Sequence, residues 1–361
     1  MKKSIFLSVL ALAAVVSCQK SEIVDTKYGN DAIGFETYTG RDAQTKATLL
    51  YGATKHLEAI GVYGFYLGTA DGWTKSSVAN LWVNESFAPN TDGIWATTNK
   101  KYWTNGTDKY TFFAYAPYAT AGTLALGSGT GAGSLVAPVV TETLTQIVDP
   151  KLTYTVPTVL ANQIDLIYSN NLNPTWKDQN NTKLEFQHAL SRISVWAKDN
   201  HDDFSYTITA ISLKGNFIGS NNLNLATGNW DSASTSEITY PFVVNAGSVA
   251  TEAAASVTTD DYLMIIPVLV TDAVLSVTYN TTYEGIPSAS ITKEVKLSQN
   301  FAKGKAYAIK LEFAPNENDE IKFNVSVTEW VDDTVDETTG NKKNPETDVT
   351  TDPKNVEEGD L

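Results

Sequence analysis

Lys305-Ala306-Tyr307-Ala308-Ile309-Lys310-Leu311-Glu312-Phe313 and, after a short polar stretch, Ile321-Lys322-Phe323-Asn324-Val325-Ser326-Val327-Thr328-Glu329-Trp330-Val331 decide the fold class. In the first run Tyr307, Ile309, Leu311 and Phe313 alternate with Ala306, Ala308, Lys310 and Glu312. In the second, Ile321, Phe323, Val325, Val327 and Val331 share one parity, opposite Lys322, Asn324, Ser326 and Thr328. A period of two places alternate side chains on opposite faces, so each run predicts a strand with one buried face. Beyond the N-terminal leader no segment sustains the 3.6-residue period of an amphipathic helix.

Working back along the chain, Leu223-Asn224-Leu225-Ala226-Thr227-Gly228-Asn229-Trp230 reads as strand, turn, strand. Between Leu184 and Lys198 the apolar parity switches, from Leu184 and Phe186 to Ile193, Val195 and Ala197. A bulge or short turn near Ala189 to Ser191 reconciles the two sets, because one extra residue flips the facing side. Further upstream, Ile33-Gly34-Phe35 begins a short strand and Ile60 to Leu67 reads as an aromatic strand. Asn105-Gly106, between Tyr102-Trp103 and Tyr110, has the form of a hairpin turn. Tyr110 to Tyr115 carries bulk on both faces, which suits a central strand covered on both sides, or one with a face packed on a loop. The expected fold class is all-β.

The composition agrees. The 361 residues are 42% hydrophobic and only 19% charged, with Thr, Asn, Tyr, Val and Gly recurring throughout. The length suggests two domains. Asn170 to Lys183 is polar and rich in turn residues, and is the best linker candidate, although it also suits a long loop within one domain. Ala119 to Gln146, which holds Gly127-Ser128-Gly129-Thr130-Gly131-Ala132-Gly133, reads as a long surface loop. A phosphate-binding loop would end in Gly-Lys-Ser/Thr and lead into a helix, and this one does neither.

The formal charge of −15 disfavours nucleic acid as a partner, since phosphate binding needs clustered lysine and arginine. From Asp332 to Leu361 ten acids face three lysines, a net of −7, so residues 334–361 are expected to form an acidic, flexible tail. Arginine occurs only at Arg41 and Arg192.

The first residues read as an export signal: Lys2-Lys3, an apolar run from Ile5 to Val16, then Ser17-Cys18. The run is shorter than the roughly 20 residues a spanning helix needs. Val15-Val16-Ser17-Cys18 resembles the lipobox of bacterial lipoproteins, which implies a signal peptide over 1–17, acylation of Cys18 (palmitate among the acyl chains) and a tether over 18–30. Cys18 is the only cysteine, so no disulfide holds the exported fold together.

Catalytic signatures are missing. The three histidines, His56, His188 and His201, stand in no triad or zinc-binding spacing, and His188 reads as a hydrogen-bonded structural residue. The acidic pairs Asp202-Asp203, Asp260-Asp261 and Asp332-Asp333 lack an EF-hand frame. No enzyme activity, cofactor or metal is expected. The eight tryptophans are candidates for sugar stacking or, more simply, for core and interface filling.

Taken in order, several segments resemble the fimbrillins, the major and accessory pilins of Bacteroidetes fimbriae. They are Ile33-Gly34-Phe35 with Thr45-Lys46-Ala47, Gly61-Val62-Tyr63-Gly64-Phe65-Tyr66, Tyr110 to Pro117, Asp165-Leu166-Ile167-Tyr168, and Leu184-Glu185-Phe186-Gln187-His188-Ala189-Leu190-Ser191-Arg192-Ile193. Leu223 to Trp230, Met264-Ile265-Ile266-Pro267, Gly304-Lys305-Ala306-Tyr307 and Val327-Thr328-Glu329-Trp330 complete the set. The resemblance implies two transthyretin-like β-sandwich domains in tandem, placed at 31–175 and 176–333. It also implies a fimbrial subunit or surface adhesin, used in adhesion or biofilm formation, and lipid-anchored at the outer membrane, on the cell surface. In that family a surface protease cuts beyond a basic residue, here Lys46 or Arg41, and removes the leader with the first strand. A strand from another subunit then fills the groove; Ile321, Phe323, Val325 and Val327 mark the candidate donor or groove strand. The residues beyond Asp333 are too polar to donate. The receptor is either a host or a bacterial surface. The alternative is a monomeric, cell-surface glycan-binding lipoprotein.

Overall fold

The computed structural model describes residues 32–39, 50–51, 55–56, 58–90, 93–104, 106–141, 143, 145–175, 182–200, 204–245, 247–251, 253–258, 262–288, 290–313, 321–330, 334–335 and 342–343. Among these the protein is all-β, with two single 3₁₀ turns and no α-helix. Cys18, Arg41, Lys46 and His201 lie outside the described residues.

The N-terminal strands close into a barrel. Its order is Phe35–Thr39, Thr182–His188, Ile167–Leu172, Lys109–Ala116, Ile60–Gly68, Trp82–Pro89 and Trp95–Ala96, which returns to Phe35. The polar stretch Asn170 to Lys183 therefore runs between two neighbouring strands of this barrel, which pair through Ile167↔His188 and Tyr168↔Gln187. Thr182–His188 alternates cleanly between buried even-numbered and exposed odd-numbered residues.

Lys109–Ala116 is buried on both faces, as its bulk predicts, and the reason is a division of labour by parity. Tyr110, Phe112, Ala114 and Ala116 point into the barrel with Ile60 and Val62. Phe113 and Tyr115, with Tyr63 and Phe65, face the other way into a larger core. Two strands thus form a wall between two apolar interiors.

The larger core fills a two-sheet sandwich. One sheet runs Ala255–Ser256, Ser191–Asp199, Lys305–Phe313 and Ile321–Glu329, with Leu263–Ile265 also on Ser191–Asp199. The other runs Ser236–Phe242, Phe204–Phe217, Val268–Tyr283 and Ile286–Pro287, with Ile291–Phe301 also on Val268–Tyr283. Ring contacts of Phe313 with Tyr206 (4.6 Å) and Tyr279 (5.1 Å), and of Phe301 with Tyr307 (4.9 Å), join the sheets face to face. A third sheet, Asn229–Trp230, Ser220–Asn224, Lys151–Thr155, Gly133–Val136 and Thr123–Leu126, combines strands from both halves of the chain.

Two local expectations change, and the parity switch resolves as the short turn expected there. Among the described residues on either side of Asn105, 101–104 form no strand but an isolated bridge, Ala32↔Tyr102, in place of the expected hairpin arm; Trp103 is buried in the barrel, and Thr104 bonds Asp108 and Tyr110. The glycine-rich stretch read as a loop is a hairpin, with Thr123–Leu126 pairing Gly133–Val136 and positive φ at Gly127, Gly129 and Gly131. The parity switch after His188 is a short bend at which the chain leaves the barrel, and Ser191–Asp199 enters the sandwich as a central strand. Strand-turn-strand over 223–230 forms as read, Leu223 opposite Trp230, with Asn224 Oδ1 accepting from the Ala226 and Thr227 amides.

Candidate functional site

Two strands that the sequence singles out, one near each end of the chain, occupy opposite situations. Phe35–Thr39 is the strand that closes the barrel. On one side it runs parallel to Thr182–His188, in the register Phe35↔Thr182 through Thr39↔Phe186. On the other it meets Trp95–Ala96 through a single residue pair, Phe35↔Trp95. The chain enters with Ile33 donating its amide to Lys101 O at 2.9 Å, and the Thr182 amide reaches Gly34 O at 3.3 Å.

Side-chain burial holds this seam. Ile33, Phe35 and Thr37 are buried, while Gly34 and Glu36 are half-exposed. The Phe35 ring sits in an aromatic cage, with centroids 5.0 Å from Phe87, 5.1 Å from Phe112 and 6.4 Å from Trp82, all at steep interplanar angles. Trp95, Leu184 and Phe186 belong to the same cluster. Burial raises the pKa of the nearby Tyr110 phenol above its ordinary value, and that hydroxyl accepts from the Thr104 amide.

Ile321–Glu329 is the reverse case. Among the described residues it pairs on one side only, with Lys305–Phe313, from Lys305↔Glu329 to Phe313↔Ile321. The facing sheet also ends at this flank, in Ile291–Phe301, which among the described residues pairs Val268–Tyr283 alone. The buried face expected for this strand is only partly covered, Ile321 and Val325 packing against the larger core. Phe323 and Val327 are 36% and 42% exposed, and Ile321 and Val325 are half-buried. An edge strand has a neighbour on one side, so its apolar row is covered on that side alone.

The end of this strand is nonetheless pinned. Trp330 is buried, its amide donates to Gly304 O at 2.9 Å, and its indole lies flat on His188 at 4.1 Å and 4°. His188 Nδ1 stands 2.9 Å from Asp165 Oδ1, both groups being buried. The Arg192 guanidinium, also buried, lies 4.5 Å from the Tyr262 ring and 5.4 Å from Trp330. His188 is thus a hydrogen-bonded core residue, at the point where barrel and sandwich meet. The sequence showed Trp330 and His188 but not their contact, because 142 positions separate them.

The tryptophans mostly fill cores. Trp82, Trp95, Trp103, Trp196 and Trp330 are buried, and Trp73 and Trp230 are half-buried against the larger core. No group of three metal-ligating side chains occurs among the described residues.

Residues 45–330 match the model of a family described as fimbrillin-like. A stretch of 117 residues is 32% identical to the fimbrium subunit Fim1C of Phocaeicola vulgatus, and covers 31% of this chain and 30% of that protein, so the match spans less than a third of either. A crystal structure of a fimbrial protein from Bacteroides vulgatus aligns with a TM-score of 0.66 at 21% identity, over 84% of this chain and 100% of that one. At that identity the likeness is one of fold.

Proposed function

The chain belongs to the fimbrillin-like family, and from that membership and the barrel seam we propose that it is a fimbrial subunit or surface adhesin assembled by protease-triggered strand exchange. The observation that carries this reading is positional. Phe35–Thr39 closes the barrel and lies upstream of both Arg41 and Lys46. A cut after either residue severs the seam strand from the barrel it completes. Loss of that strand leaves Thr182–His188 with unpaired backbone groups and empties the cage of Phe87, Phe112 and Trp82. A strand from another subunit satisfies both, and head-to-tail donation of this kind builds a filament.

In this reading the precursor is a lipoprotein, held by acylated Cys18 at the outer membrane and facing outward, with residues 18–30 as its tether. The family's two transthyretin-like units correspond to the barrel and the sandwich. The first unit then runs on to His188, past the expected boundary at 175, and residues 334–361 form an acidic tail after the second. The other subunits are its partners, and a surface receptor is a further one. Among the described residues five tryptophans are buried and only Trp73 and Trp230 are half-exposed, which favours core filling over sugar stacking for most of them.

Limited digestion tests the proposal. Full chain is treated with trypsin or a surface protease from a fimbriated bacterium, then analysed by N-terminal sequencing and by unheated SDS gels. The expected result is a clip after Arg41 or Lys46 followed by SDS-resistant ladders. A clip there without ladders, at subunit concentrations well above micromolar, would defeat it.

A further inference from the structure

We propose that the end of the sandwich remote from the Trp330–His188 contact carries a binding shelf for a basic segment of a partner protein, built from Phe204, Tyr283 and Ile286 with the Glu284 carboxylate at its lip. The inference rests on the adhesin reading above and gives the surface receptor a chemistry. The three apolar residues are partners in register, Phe204↔Tyr283 and Tyr283↔Ile286, so they stand side by side across three strands on one face of the sheet. That face is the one turned to the larger core, since Tyr206 and Tyr279 share their parity and are buried there.

The facing sheet stops short of them. Its strands end in register at Asp199, Phe313 and Ile321, and Phe313 covers Tyr206 and Tyr279. Phe204 lies two residues beyond Tyr206, about 7 Å further out along the strand. Phe204 is 38% exposed, Tyr283 47% and Ile286 71%. The two rings, 5.1 Å apart and inclined at 36°, leave part of their faces to solvent. Tyr283 and Ile286 flank a two-residue hairpin turn, Glu284-Gly285, with φ of +49° and +80°. Asn, Asp or Gly is the usual residue at the first of these positions, and the exposed glutamate is held there in a left-handed conformation that its side chain disfavours. Strain on a surface residue that packing does not demand points to a use for the carboxylate.

Charge selects the occupant. Three connections meet at this end, 200–203, 284–285 and 314–320. They hold Asp202, Asp203, Glu284, Glu317, Asp319 and Glu320, with His201 and no lysine or arginine. Lys198 and Lys322 pair in register with Glu312, on the face of the other sheet turned away from the core. A lysine or arginine side chain laid over Tyr283 or Phe204 is attracted by the ring and by Glu284 together. An anionic membrane surface, or a second copy of this chain at −15, meets like charge instead. The three side chains expose on the order of 300 Å², well under the roughly 800 Å² per partner of a standard protein–protein interface. The shelf therefore fits a short segment, held weakly by one subunit and more firmly by many subunits side by side.

Fluorescence anisotropy on the full, uncut chain tests the shelf with three labelled probes: a short peptide of lysine, arginine and glycine, an acidic peptide of the same length, and a neutral oligosaccharide. Tyr283→Ala and Glu284→Asn, the second keeping the left-handed turn while removing the charge, are compared with Leu269→Ala at the other end of the same strand. Circular dichroism checks that each variant is folded. The expected result is that only the basic peptide binds, and that its Kd rises about tenfold or more between about 0.05 M and about 0.5 M salt. Tyr283→Ala and Glu284→Asn should each weaken it by about threefold or more, and Leu269→Ala should leave it unchanged. Basic-peptide binding that neither Tyr283→Ala nor Glu284→Asn weakens would place the attraction in the chain's general charge and overturn the shelf, as would no binding at all. Oligosaccharide binding that Tyr283→Ala abolishes and salt leaves alone would overturn the basic partner. Because the chain is uncut, the outcome is separable from strand exchange. Ladders after clipping, without peptide binding, overturn the shelf alone; peptide binding by a chain that is clipped and forms no ladders overturns the assembly reading and leaves the shelf standing.

Discussion

Replacing Phe35 with alanine tests whether the seam strand is a structural member of the barrel before any cut. The ring is fully buried and touches three aromatic side chains edge-on. Burying a phenylalanine removes about 150–250 Å² from water, which at about 25 cal/mol per Å² is about 4–6 kcal/mol as an upper bound. Phe→Ala changes in cores cost about 3–5 kcal/mol, and the loss here belongs in the upper half of that range, because Trp82, Phe87 and Phe112 are held by their own strands and cannot collapse into the gap. With a urea slope of about 3 kcal/mol/M, the midpoint falls by more than about 1 M. Tryptophan fluorescence reports on the barrel in part, since Trp82, Trp95 and Trp103, three of the eight tryptophans, lie in its interior cluster. Leu269→Ala supplies the control, its side chain being 65% exposed. A midpoint shift for Phe35→Ala below about 0.3 M, roughly 1 kcal/mol, would mean that the barrel does not depend on its seam strand, and that removing the strand could not create a site with anything to gain from a donor.

Other outcomes follow from the same coordinates. Trp330→Ala should cost about 3–5 kcal/mol, and hydrogen exchange should show faster exchange across Ile321–Glu329 while the barrel amides stay protected; unchanged exchange in that strand would remove Trp330 as its anchor. Gly228→Ala should destabilise by about 2–3 kcal/mol, because Gly228 has φ +65° and a Cβ there runs into the Tyr168 ring, whose hydroxyl bonds Gln187 and Lys303; a wild-type melting curve would contradict that packing. Burial raises the phenols of Tyr63, Tyr115 and Tyr240 above their ordinary pKa of 10.0, so their contribution to stability is complete below pH 10.0 and is lost as pH climbs beyond it, where the unfolded chain ionises first. Absorbance at 295 nm should therefore show part of the 17 tyrosines titrating only together with loss of the circular-dichroism signal, and complete titration before that loss would refute their burial.

The strands of this fold were legible wherever one residue's environment could be inferred from its neighbours. The period-two run at Tyr307 to Phe313, the strand-turn-strand of Leu223 to Trp230 and the two-sided bulk of Tyr110 to Tyr115 are local signals, and each marks strand structure. What the sequence did not disclose is partnership. Thr182–His188 and Ser191–Asp199 look like one strand with an irregularity, yet they enter different sheets, because a two-residue bend is enough to redirect the chain. Asn105-Gly106 has ideal hairpin chemistry, but the Trp103 beside it is buried in the barrel cluster instead of lying on a paired strand. The Phe323 row reads as buried since alternation reports which face is apolar, not whether anything covers it. The seam likewise depends on a parallel pairing between segments that lie almost 150 residues apart, Phe35 with Thr182, which no local pattern encodes.

In the proposed strand exchange, the unequal housing of the two end strands makes a cut, rather than unfolding, the natural trigger. An open edge with an apolar row invites pairing, and the C-terminal strand is such an edge. In the proposed exchange, the seam of a receiving subunit is occupied by its own first strand until it is cut. While the seam strand belongs to the same chain as the barrel, it competes at an effective concentration in the millimolar range or above, which a donor from a second subunit cannot match. Cleavage beyond Thr39 leaves the strand's contacts unaltered: the five-residue parallel ladder and the Phe35 cage still hold it. What cleavage removes is the tether. The strand becomes a short peptide that dilutes away each time the seam opens, whereas a donor strand stays attached to a folded subunit and brings that subunit's other surfaces with it. On the proposed reading, exchange follows the cut without unfolding the barrel, and the expected outcome is that uncut chain elutes as a monomer in size-exclusion chromatography while cut chain does not.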